Sequence, residues 1–132
     1  MNKKKLLKHC MLLPVISIIG CSAVPLTNNA DKVMVVNSMQ KIPSGCKFIG
    51  QATGSQGNFF TGTYTSNENL ATGAMNDLKN KAAQMGGNYV QLLTNQAATT
   101  GSGDLLGDGL QETGVVNVGN VYNCTESALN NS

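Results

Sequence analysis

Leu70-Ala71-Thr72-Gly73-Ala74-Met75-Asn76-Asp77-Leu78-Lys79-Asn80-Lys81-Ala82-Ala83-Gln84-Met85, closed by Gly86-Gly87, is the stretch that decides the fold of this 132-residue chain. Leu70, Ala74, Met75, Leu78, Ala82 and Met85 recur at steps of three and four, which gives a helix one apolar stripe to lay against a sheet. Ser66, Asn67 and Asn69 are candidate caps at its start, and the paired glycines stop it. Asp77 and Lys81 stand one turn apart and can pair, a contribution of about 0.2–0.5 kcal/mol. Lys79 joins Lys81 on a solvated face, and Met75 and Met85 read as core filler rather than as a metal or cofactor site.

Strands flank this helix. Before it, Val33-Met34-Val35-Val36 is a short apolar run, Ile42-Pro43-Ser44-Gly45 turns the chain, and Cys46 to Gly54 forms a second strand with Cys46, Phe48 and Gly50 on one face. Residues 54–69 read as a polar loop carrying Phe59, Phe60 and Tyr64, either folded back over the sheet or exposed as a contact surface. After the helix, Tyr89-Val90-Gln91-Leu92-Leu93 is a third strand, and residues 96–113 lose regular pattern as a Gly-rich loop. Val115 to Cys124 closes the domain as a half-buried strand in which Val116, Val118 and Tyr122 alternate with smaller or polar residues. The expected fold is therefore α+β in the order β-β-α-β-β: a mostly antiparallel sheet of about four strands with one helix packed on it, a long Gly-rich loop before the last strand, and one disulfide.

The amino end carries an address. Lys3, Lys4, Lys5 and Lys8 precede an apolar run from Cys10 to Ile19 that is too short for a permanent membrane span, and Gly20-Cys21 follows. A small residue ahead of a thiol is a lipoprotein processing box, so residues 1–20 are expected to be a signal peptide cleaved between Gly20 and Cys21. The membrane is then met through a covalent lipid on Cys21. Each buried methylene contributes about 0.8 kcal/mol, so two or three acyl chains hold such a protein firmly. Ser22 does not match the inner-membrane retention mark of enterobacterial lipoproteins, which points to the outer membrane facing the periplasm. Residues 21–31 read as a lipidated tether, 32–126 as the domain and 127–132 as a polar tail.

Composition narrows the chemistry. The 132-residue chain less a 20-residue leader leaves 112 residues, which supports one modest domain. Its formal charge of +2 arises from the leader, because the mature part keeps five lysines against seven acids. No nucleic-acid partner is implied. The chain has no arginine, and its one histidine, His9, lies in the leader. The usual general base, the common nucleophile arrangements, the commonest zinc ligand and the bidentate anion fork are thereby missing. No cofactor or metal is expected. Asp104 and Asp108 do not fit an EF-hand, because Leu106 occupies the first alternate ligand position. Cys46 and Cys124 remain as the pair for a disulfide in an oxidising compartment.

Cys46-Lys47-Phe48-Ile49-Gly50, Gly54-Ser55-Gln56-Gly57-Asn58-Phe59-Phe60-Thr61-Gly62, Tyr64 to Leu70, Asn76 to Ala83 and Gly87-Asn88-Tyr89-Val90 together resemble an uncharacterised family of proteobacterial lipoproteins, filed as a domain of unknown function. A looser similarity, confined to the helix end, Gly87-Asn88 and the next strand, is to the outer-membrane lipoproteins that sense envelope stress for the Rcs phosphorelay. Their domain also sets a helix against a small disulfide-braced sheet. The chain departs from them in having one candidate disulfide instead of two and no long basic, proline-rich linker.

The expected function is that of a lipid-anchored envelope protein, not an enzyme, that binds or signals through its loop surface, with an unidentified envelope protein as partner. The alternatives are a structural or housekeeping lipoprotein, or an enzyme of cell-wall or lipid material. The last would require facing carboxylates, such as Glu68 near Asp77 or Glu112.

Overall fold

The computed structural model describes residues 22–58, 61–100 and 111–131. The regular elements are β1 (Met34–Asn37), β2 (Cys46–Gln56), α1 (Asn67–Gln84), β3 (Tyr89–Thr100), β4 (Gln111–Cys124) and a short α2 (Glu126–Asn130), with single 3-10 turns at Ala30–Lys32 and Gly62–Tyr64. The four strands form one sheet in the order β1-β3-β4-β2. Only the β1–β3 pair is parallel, and the other neighbours are antiparallel. The α+β architecture expected from the sequence is the one observed.

α1 starts where Ser66 caps it, its hydroxyl accepting from the Asn69 N–H at 3.2 Å. It ends where the Gly87 N–H donates to the Ala82 carbonyl at 2.8 Å. Leu70, Ala74, Leu78 and Ala82 are fully buried at steps of four, while Met85 lies at the rim, 41 % exposed. The helix lies very close to β2. A Cβ on Gly54 would come within 2.2 Å of the Leu78 backbone nitrogen and 2.3 Å of the Ala74 carbonyl oxygen. Glycine is the residue that admits this approach.

Under the helix, Ala52, Leu78, Ala82, Val90, Val121 and Val33 form one core cluster, and Leu70, Ala74 and Val115 form a second. A third cluster sits at the end of the sheet where α2 packs, built from Tyr89, Cys124 and Ala128 with Val36, Ile42 and Cys46 beside them. The Cys46–Cys124 disulfide belongs to this cluster and joins the first residue of β2 to the last of β4, which are partners in register.

Several local expectations are corrected. In β2 the register shifts between Phe48 and Gly50, so Phe48 pairs with Tyr122 while Gly50 pairs with Val121 on the helix side. Phe48 and Gly50 therefore do not share a face, because a bulge breaks the two-residue period. In β4 the residues turned to the helix are Val115, Asn117, Gly119 and Val121; Val116 is 36 % exposed. A run of valines at consecutive positions let either face read as the inner one. The pattern-poor stretch from Gln96 is largely strand: β3 runs to Thr100, and β4 begins at Gln111. Ala, Thr, Gln and Asn there lack apolar alternation because both sides of this arm are solvated, with every residue from Leu93 to Thr99 exposed. Residues 127–131 are not a loose tail, since α2 buries Ala128 and its cap residue Thr125 accepts from the Ala128 N–H at 3.3 Å.

Candidate functional site

Gly20, Cys21, Phe59, Phe60, Asp104 and Asp108 lie outside the described residues. Tyr64 is described, on the Gly62–Tyr64 turn, and is 82 % exposed. It does not fold back over the sheet. Its neighbour Thr65 is buried, with its hydroxyl donating to the Thr61 carbonyl at 2.9 Å, which fixes the turn and leaves the phenol outside.

The segment read as a tether is instead docked along α1. Asn76 donates to the Val24 carbonyl at 2.7 Å and Asn80 donates to the Pro25 carbonyl at 3.0 Å. The Asn80 side-chain oxygen accepts from the Thr27 N–H at 2.8 Å and from its hydroxyl at 3.0 Å. From β2, Gln56 accepts from the Val24 N–H at 2.7 Å and donates to the Ser22 carbonyl at 3.1 Å. The backbone of residues 22–27 is thus held by side-chain amides that stand in for backbone partners. Gly73 makes room, because a Cβ there would meet Gln56 Oε1 at 1.2 Å and the Val24 nitrogen at 2.9 Å. Gly73, Asn76 and Asn80 share one side of the helix. That stripe is the sequence signal for the contact, and apolar periodicity does not register it because the groups that make it are polar.

The acidic candidates lie on different turns and elements. Glu68 is exposed in the first turn of α1, and Glu112 is half-buried on β4 opposite Thr99. Asp77 is paired with Lys81 at 2.8 Å and also accepts from the Ser55 N–H at 2.9 Å. Among the described residues no cluster of three or more His, Cys, Asp or Glu could hold a metal ion. A shallow cleft lies between residues 40–44 and α2, lined by Ile42, Pro43, Ser127 and Asn131 with Lys41 as its charged member. No helix among the described residues is long and apolar enough to cross a membrane.

Among the described residues, two polar groups are buried without partners. The Tyr89 hydroxyl and both polar atoms of the Asn117 amide make no hydrogen bond, and both residues are fully buried. Burial pushes the Tyr89 phenol above its ordinary pKa, and neighbouring Tyr122 adds to the shift. Tyr122 stands between Tyr89 and Phe48, with edge-to-face centroid separations of 6.3 Å and 5.6 Å. This aromatic row, ending in half-exposed Phe48, runs across the sheet face opposite α1 and was not anticipated. The tyrosines are distant in sequence, so only register brings them together.

Among curated proteins, the chain is similar to the uncharacterized protein YjeI of Escherichia coli K12, of E. coli O6:H1 and of Shigella flexneri. Each is 38 % identical over 72 residues, covering 54 % of this chain. The match spans 60 % of the length of those relatives. A family model described as "Domain of unknown function (DUF4156)" matches residues 24–124, from the docked segment to the second disulfide cysteine, and the chain belongs to that family.

Proposed function

We propose that the protein is a lipid-anchored, periplasm-facing outer-membrane protein acting as a noncatalytic binding or signalling module. The observation that carries this reading is the junction at Cys21: a short apolar run ends in Gly20-Cys21, and the chain is docked on the domain from Ser22 onward. An acyl group at Cys21 would therefore bind the bilayer with almost no slack, holding the docked face of α1 towards the lipid. The Cys46–Cys124 disulfide supports an oxidising compartment. Engagement of Asp77 by Lys81 and Ser55 speaks against its use as an acid or base. Tyr64 and half-exposed Phe48 are described aromatics that a partner could reach.

The test is the mass of the mature protein, with and without reductant, beside that of a Cys21→Ser variant. The expected result is a diacylated or triacylated chain beginning at Cys21, and a variant released from the membrane fraction. A photoreactive residue at Tyr64 in intact cells should then capture an envelope protein. An unacylated soluble product from the unaltered sequence would remove the anchor. Crosslinking at Tyr64 that yields nothing, together with unchanged envelope-stress reporter output on deletion, would move the role to a structural one.

A further inference from the structure

The two edges of the sheet are treated differently. At the β2 edge, Asp77 accepts from the Ser55 N–H at 2.9 Å and Lys81 donates to the Thr53 carbonyl at 2.7 Å. The ion pair on α1 therefore occupies backbone groups that an incoming strand would need. At the other edge, β1 pairs with β3 only from Tyr89 to Leu92, and no described strand lies beside β3 after that. Residues Leu93 to Thr99 are all exposed, and Tyr89 to Thr100 includes neither a charge nor a proline. Register breaks at Leu92/Thr94 and at Ala98/Thr99, so Thr94 to Ala98 is a regular, unguarded length of edge between them.

We propose that this edge, Thr94 to Ala98, pairs antiparallel with the same edge of a second copy, joining two four-stranded sheets across a two-fold axis. Charge matching favours a second copy. Antiparallel pairing of an edge with itself sets each residue opposite another of the same uncharged group, so no like charges meet. Closure favours it too. An edge that pairs with its own copy about a two-fold axis forms an isologous contact, which closes at two molecules. Thr94 and Gln96, partners of Val118 and Val116, lie on the face away from α1, where they can exchange cross-strand hydrogen bonds with the second copy. The proposal does not depend on lipid at Cys21.

The test is sedimentation equilibrium of the full chain in a non-ionic detergent over a wide concentration series, with hydrogen exchange measured on the same samples. The expected result is a mass rising to twice that of the monomer, with alternate amides between Thr94 and Ala98 becoming protected as it rises. A Thr94→Lys/Gln96→Lys variant, which sets like charges across the axis, should stay monomeric with unchanged circular dichroism. The conservative Thr94→Ser/Gln96→Asn variant should still pair. Should the lysine variant fold poorly, the exchange pattern of the unaltered chain decides. A monomer throughout, a dimer indifferent to both lysines, or protection that arises elsewhere overturns the proposal.

Discussion

Asp77 and Lys81, one helical turn apart and 2.8 Å from each other, act on β2 as a substitute strand, the carboxylate taking the Ser55 N–H and the ammonium meeting the Thr53 carbonyl. Their side chains are 22 % and 45 % exposed, so the pair is worth little as a salt bridge, about 0.5 kcal/mol. Its larger effect is to close an edge. An Asp77→Ala/Lys81→Ala variant should lose about 1 kcal/mol or less in urea unfolding. It should nevertheless associate beyond a pair in sedimentation, because β2 becomes available as a template. A variant that loses several kcal/mol, or one that associates no further than the parent, would contradict this division of roles.

The docked amino segment makes a second prediction. Asn80 is buried and serves Pro25 and Thr27 together, so Asn80→Ala leaves a carbonyl and an N–H without their partners. The expected cost is about 1–3 kcal/mol. Hydrogen exchange should accelerate at Thr27 and Val24 before it does so in β4. Gly73→Ala should release the same segment by displacing Gln56, and protease cleavage ahead of Ala30 would report it. Equal exchange rates in parent and variants would mean that the segment is not held in solution.

Sequence periodicity carried the skeleton because α1 has one apolar stripe and β1 and β4 are rich in valine. It failed where contacts are polar or depend on register. Asn76, Asn80 and Gln56 hold residues 22–27 by amide hydrogen bonds, which leave no hydrophobic period to detect. The bulge after Phe48 reverses which side of β2 faces the helix; Gly50, with φ 154°, marks the irregularity but not which side turns inward. The far half of β3 is exposed from Leu93 to Thr99, so alternation has no apolar side to reveal there. The closed β2 edge was half legible: the pairing of Asp77 with Lys81 follows from spacing, whereas their reach to the β2 backbone follows only from the close seat of α1 on Gly54.

The disulfide should contribute more to stability than any single contact. It closes a loop of 78 residues between the first position of β2 and the last of β4. Chain entropy assigns a loop of that size about 4–5 kcal/mol. A Cys46→Ala/Cys124→Ala variant should therefore unfold at markedly lower urea concentration, and reductant should lower the melting temperature of the parent but not of the variant. Equal midpoints with and without reductant would place the stabilisation elsewhere.

Asn117 is fully buried on the helix side of β4 with neither its amide nitrogen nor its oxygen engaged. An unpaired buried amide costs free energy that an apolar side chain does not. Asn117→Val should accordingly raise stability by about 1–2 kcal/mol, seen as a higher urea midpoint with an unchanged slope. A drop in the midpoint would show that the amide finds a partner in solution.

Tyr89 should set the alkaline limit of the fold. Its hydroxyl is buried and unpartnered, and desolvation, with Tyr122 adding to it, raises its pKa above the ordinary value of 10.0. A raised folded-state pKa means that the native protein holds this proton more tightly than the unfolded chain does. The associated stability is thus fully present below about pH 10 and is lost as pH rises through the folded-state pKa. In an absorbance titration, Tyr89 should ionise late, in a step that coincides with unfolding. Tyr89→Phe removes both the orphaned hydroxyl and this proton linkage. It should leave neutral-pH stability unchanged or slightly higher, eliminate the late ionisation step, and shift the onset of alkaline unfolding upward. An unchanged onset in the variant would place the alkaline limit on another group.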